Sequence, residues 1–94
     1  MKVRYTNRAF RDREDILTYL KARSPTGARN VLDRFGDAAS LLGQQPLAGL
    51  PTDMPDVRVL FVGRYPYKFF YRVRGDTVEI LHIRHTARAT IKSL

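Results

Sequence analysis

Residues 67–74 and 77–85 form two runs rich in Tyr, Phe, Val and Ile, separated by Gly75-Asp76. Apolar residues at a period of two predict strands, and a Gly-Asp pair between them predicts a two-residue hairpin turn with left-handed backbone. With that turn fixed, Arg74 faces Thr77, Val73 faces Val78, Arg72 faces Glu79 and Tyr71 faces Ile80. Continued without a break, the register brings Phe70 to Leu81 and Phe69 to His82. The opposite-charge and aromatic–β-branched pairs each favour it by a few tenths to about 1 kcal/mol. One face of the hairpin then carries Tyr67, Phe69, Tyr71, Val73, Val78, Ile80, His82 and Arg84. The other carries Lys68, Phe70, Arg72, Glu79, Leu81, Ile83 and His85. A sheet with one wet side alternates apolar and polar positions. Here both sides are apolar, so one face is expected under helices and the other against a partner.

Upstream the period changes to that of helices. Thr6 or Asn7 suits the cap of a first helix with Ala9, Phe10, Ile16, Leu17 and Leu20 on one side. Arg11, Asp12, Arg13, Glu14 and Asp15 form a charged band on the other, read as a solvated face. Ser24-Pro25 ends this helix and opens the next, with Ser as cap and Pro at the first helical position. In the second helix Ala28, Val31, Leu32, Phe35, Ala38, Ala39 and Leu42 make an apolar stripe at 3.6 spacing. The short join makes the two helices an antiparallel pair.

Val3–Tyr5 is a short strand, expected in the same sheet as the hairpin. Pro46, Gly49, Pro51 and Pro55 predict an irregular loop over 44–55, followed by a strand over 57–62 and a tight connection at 63–66. The order is β-α-α-β-β-β: an α+β fold, a helical hairpin packed on a small, mainly antiparallel sheet, as a single domain over residues 1–94.

Charge sharpens the picture. The 94 residues hold 17 Lys and Arg against 9 Asp and Glu, for a net charge of +8. Residues 58–94 hold 8 of the basic side chains but only Asp76 and Glu79 against them. Such asymmetry points to an acidic partner, either nucleic acid or an acidic protein segment. With no cysteine, disulfides, thiolate metal sites and thiol nucleophiles are excluded. No apolar run approaches the length of a membrane span, and the N-terminus lacks the apolar core of a signal peptide, so a cytoplasmic location without membrane contact is expected. His82 and His85 fall on opposite strand faces and do not form a metal pair. No metal or cofactor is expected.

Val-Gly-Arg-Tyr-Pro-Tyr-Lys-Phe-Phe-Tyr-Arg-Val at 62–73, Gly-Asp-Thr-Val-Glu-Ile-Leu-His-Ile-Arg-His at 75–85 and Ala87-Arg88 beyond resemble the RelE/ParE superfamily of bacterial toxins. Arg-Ala-Phe-Arg-Asp at 8–12 and Gln-Pro-Leu-Ala-Gly-Leu at 45–50 fit the same pattern, so the resemblance covers nearly the whole chain. It implies the toxin of a type II toxin–antitoxin system, of the kind associated with plasmid stabilisation. Its partner would be a small, acidic, DNA-binding antitoxin, received on Phe70, Arg72, Leu81 and Ile83.

Within the superfamily two activities compete: ParE-like members inhibit DNA gyrase, and RelE-like members cut mRNA on the ribosome. Lys68 stands where RelE-like toxins carry an Arg, which loses the planar fork. The tail from Thr86 to Leu94 has neither Tyr nor His. The resemblance therefore favours a ParE-like gyrase inhibitor acting by binding, with Arg64, Lys68, Arg84, His85 and Arg88 as target-contacting residues. The alternative is an endoribonuclease using Lys68, Arg84, His85 and Arg88. A third class is a toxin fold that only binds its antitoxin.

Overall fold

The structure, a computed structural model, describes residues 1–86. Its elements are β1 (Lys2–Tyr5), α1 (Asn7–Arg23), α2 (Pro25–Gln44), β2 (Leu50–Pro51), β3 (Arg58–Phe61), β4 (Tyr67–Arg74) and β5 (Thr77–His85). The sheet order is β1-β5-β4-β3-β2. β1 runs parallel to β5, and the other neighbours are antiparallel. The expected α+β architecture is present, with one addition. Leu50 and Pro51, inside the stretch expected to be irregular, pair with Val59 and Arg58 as an outer strand. An edge is where a sheet tolerates proline, whose missing N–H is not needed there.

The helix boundaries follow local chemistry. Thr6 Oγ1 accepts the Ala9 N–H at 3.2 Å, and Ser24 Oγ accepts the Gly27 N–H at 3.0 Å. Each cap satisfies one of the donors a helix leaves open at its start. Pro25 occupies the first turn of α2. From the predicted stripe, Ala28, Val31, Phe35, Ala38 and Leu42 are buried, whereas Leu32 stays exposed. Val31, Phe35, Ala38 and Leu42 join Ala9 and Leu17 of α1 and pack on Tyr67, Phe69, Tyr71, Val78, Ile80 and Ile83 of the sheet. Phe35 is the hub, with its ring centroid 5.3 Å from that of Phe69 and 5.6 Å from that of Tyr67, both edge-on. Edge-to-face pairs of this kind add about 0.5–1.5 kcal/mol each beyond their burial.

The hairpin keeps the predicted register from Arg74–Thr77 through Tyr71–Ile80, then breaks. Phe70 pairs with His82 rather than Leu81, and Phe69 with Ile83 rather than His82. Leu81 is the extra residue of a β-bulge, which shifts every later side chain of β5 by one position. Ile83, expected on the partner-facing side, is thereby 2% exposed in the main core under the helices. At the turn only Gly75 has positive φ (60°), the pattern of a type II′ turn.

The sheet face away from the helices is not the open greasy surface the alternation suggests. Phe70 is buried there with Val57, and Met54, Val59 and Leu81 pack around the pair. The chain between β2 and β3 thus covers its own apolar patch. Phe61 of β3 and Leu50 of β2 stay exposed on that face, and the portion formed by β1, β5 and the hairpin end of β4 is mostly charge.

Candidate functional site

Two clusters of chemistry-bearing side chains flank β5. The first centres on Glu79, which is buried although charged. Arg72 Nε donates to its Oε1 at 2.8 Å, Arg4 Nη2 contacts its Oε2, and Arg74 Nε lies 3.8 Å from Oε1. The arrangement follows from register, since Arg4, Glu79 and Arg72 stand side by side on β1, β5 and β4. Hydrogen bonds from Arg72 and then Arg4 hold the Glu79 carboxyl below the ordinary carboxylate range, against the opposing effect of burial. One carboxylate fixes three guanidinium groups that keep much of their surface in water.

The second cluster lies where β1 ends and α1 begins. Beyond Tyr5 the sheet edge passes to α1, and β5 loses its partner on the β1 side. Asp12 takes over by accepting the Ile83 N–H at 3.1 Å on its carboxylate. The same carboxylate contacts His82 Nδ1, and His82 Nε2 lies 2.8 Å from Arg8 Nη2. Arg8 Nε also reaches Asp12 at 3.3 Å. His82 is 3% exposed, and burial pushes its imidazole below the ordinary histidine range more than Asp12 raises it. A neutral ring with Nδ1 turned toward Asp12 and Nε2 accepting from Arg8 suits both neighbours. Asp12 is therefore no part of a solvated band.

Beside this cluster a cleft of about 710 Å³ opens between α1 and the end of β5. Arg8, Asp15, Ile16, Tyr19, Tyr67, Arg84 and His85 contribute to its walls. Across the sheet from it Lys68 stands directly opposite Arg84. Two cations so placed repel. The Lys68 ammonium is 5.5 Å from the centre of the Phe70 ring, and Arg84 Nε is buried with no hydrogen-bond partner among the described residues. An unsatisfied buried donor beside a second cation is a feature the fold does not use for itself.

The expected target-contacting residues gather at this end of the sheet. Arg64 is exposed in the β3–β4 connection, whose Pro66 carbonyl accepts the Thr86 N–H at 2.8 Å. Lys68 and Arg84 share the face of Phe70. His85 is paired with Tyr67, a residue of the helix-side core, and the two rings meet edge-on at 5.8 Å. The set thus divides over the two faces of the sheet. Arg88 lies outside the described residues. Of the four residues expected to receive an antitoxin, Arg72 and Leu81 are half-buried at the surface, Phe70 is beneath the covering loop and Ile83 is in the core. Nothing in the sequence pattern singled out Arg8 and Asp12 as a pair. Their signal was weak: an i, i+4 opposite-charge pair opposite a strand end, visible only once the β1–β5 pairing is known.

The family model of "ParE toxin of type II toxin-antitoxin system, parDE" matches residues 3–90. A relative from Sinorhizobium fredii (strain NBRC 101917 / NGR234), named "Putative toxin Y4kP", is 34% identical over 84 residues, covering 89% of this chain and 86% of its own. Among solved structures, a chain of the chromosomal ParDE TA system from P. aeruginosa superposes with a TM-score of 0.79 at 28% identity, over 90% of this chain and 95% of that one. A chain of the toxin–antitoxin complex RelBE2 from Mycobacterium tuberculosis gives 0.56 at 27% identity, over 89% and 95%. The fold is that of type II toxins. The chain belongs to the ParE toxin family.

Proposed function

We propose that this protein is a toxin that inhibits DNA gyrase by binding, acts in the cytoplasm, and is held inactive by a cognate antitoxin. The observation that carries the first part is the division of the residues a ribonuclease would need. Cleavage of RNA requires a proton-transferring group and fixed cations around one phosphate. Lys68 is on the face of Phe70, whereas His85 packs against Tyr67 on the other and lines with Arg84 a cleft that Lys68 does not reach. His82 is closed off between Asp12 and Arg8. This supports a surface that works by contact, with Arg64, Lys68 and Arg84 at its centre. An antitoxin is supported by the matched solved structures, which come from the ParDE system and the RelBE2 complex.

The likeness to the RelBE2 chain favours one second reading, an mRNA endoribonuclease dependent on the ribosome. Expression of the chain without its partner, with DNA and protein synthesis followed separately by short-pulse labelling, tests both. Early loss of DNA synthesis with translation intact, and inhibition of supercoiling by purified gyrase, are expected. Early loss of translation would overturn gyrase as the target.

A further inference from the structure

We infer that the sheet face opposite the helices binds the phosphate backbone of duplex DNA, through a strip made by Lys2, Arg4, Arg72 and Arg74. The inference stands on the charge of this face and does not require that gyrase be the target.

Residues two apart on a strand share a face. Lys2 and Arg4 of β1, Thr77 and Glu79 of β5, and Arg72 and Arg74 of β4 therefore form two cross-strand rows, Lys2–Thr77–Arg74 and Arg4–Glu79–Arg72. Val3 and Tyr5, which alternate with the cations of β1, pack into the core on the helix side. Glu79 is the one acid in these rows, and its carboxylate is occupied in organising the arginines. Buried between them, it fixes Arg4 and Arg72 and draws in Arg74, so the guanidinium groups lose little freedom when they meet an anion. The Arg4 and Arg74 side chains remain 59% and 66% exposed. Guanidinium forks held this way match phosphate oxygens in pairs of hydrogen bonds.

The choice between DNA and an amphipathic acidic peptide follows from the covering loop. Such a peptide needs apolar anchors beside the cations, and Phe70 is closed under Met54 and Val57. The exposed Phe61 and Leu50 of this face lie away from the strip, Phe61 across from Lys68 at the far end of β4 and Leu50 on the outermost strand β2. The loop also brings Asp53 and Asp56 to the β3 side, which confines the cationic strip to β1, β5 and the hairpin end of β4. A polyanion recognised by charge alone needs neither pockets nor base contacts.

The test is fluorescence anisotropy of a labelled 20-base-pair duplex titrated with the full chain over a range of salt. Wild type is expected to bind with log K falling linearly in log salt. Lys2→Ala/Arg74→Ala leaves the Arg4 and Arg72 contacts of Glu79 in place, so its fold should be intact by circular dichroism. It should reduce the magnitude of the slope by about 1.8, at about 0.9 for each phosphate no longer neutralised. The paired control Lys21→Ala/Arg29→Ala removes equal charge from the helices and should leave the slope unchanged. Absence of duplex binding at low salt, or an equal loss of slope in both double variants, would overturn the strip. Binding of a poly-glutamate peptide with no binding of the duplex would overturn it in favour of an acidic protein segment. Gyrase inhibition without duplex binding would leave the proposed function standing and remove this inference alone.

Discussion

The hydroxyl of Tyr71 accepts the backbone N–H of Gly49 at 2.8 Å inside the core, tying the centre of β4 to the loop before β2. A Cβ on residue 49 would lie 2.7 Å from that hydroxyl and from the Val59 carbonyl oxygen. Arg58 Nη1 completes the clasp on the Gly49 carbonyl at 2.9 Å. Close backbone approach, rather than turn geometry, is what requires glycine here.

Tyr71→Phe is expected to leave the buried Gly49 N–H without a partner and destabilise the protein by about 1–3 kcal/mol. Gly49→Ala forces carbonyl and ring apart and is expected to cost a similar amount. At this chain length each kcal/mol lowers Tm by roughly 4–8 °C. Thermal melts check both, and a Tyr71→Phe variant melting with the parent would show that the clasp is immaterial.

His82 predicts a loss of stability in mild acid. Burial puts its folded pKa below the ordinary histidine value of 6.5. A group depressed on folding stabilises fully above its unfolded pKa and loses that contribution as pH falls through the folded one. Stability should therefore decline from about pH 6.5 downward. Urea unfolding between about pH 8 and 5 measures it. His82→Gln, which cannot take up the proton, should flatten this part of the curve. An unchanged slope in the variant would assign the effect elsewhere.

Glu79 acts in a lower window. Its folded pKa is held below the ordinary carboxylate value of 4.5, chiefly by Arg72 and Arg4. Its contribution is present above about that value and is lost as pH falls through the folded pKa. Glu79→Gln should be less stable than the parent at about pH 7 and converge toward it near about pH 3. A constant difference across the range would show that shape, not charge, sets the effect.

Much of this was legible in the sequence. The hairpin turn, both helix caps and the α2 stripe rest on local rules, and each stands where those rules put it. The bulge at Leu81 does not, because no residue there signals an insertion. One extra residue moved Ile83 into the core and turned His82 toward Asp12 and Arg8. The same blindness applies to Phe70. Its cover comes from Met54 and Val57, whose approach depends on β2 pairing at an edge. Sites built from cross-strand neighbours before the bulge were readable, as Arg72–Glu79 was. Those after it were not.

Toxicity should depend on the cations at the far end of β4 and β5. Arg84 is the strongest candidate, since its Nε is buried without a partner among the described residues and Lys68 faces it with like charge. That arrangement carries a repulsion that a bound anionic group would relieve. Arg84→Ala removes the repulsion, so the fold should be no less stable, while Arg84→Ala/Arg88→Ala should fail to arrest growth. The double variant must still accumulate and melt with the parent, which separates a failure to engage the target from a failure to fold. His85→Ala should arrest growth undiminished if contact is the mechanism. Full arrest by the double variant at matched expression would exclude these arginines from the toxic surface, and would move attention to Arg64 and Lys68.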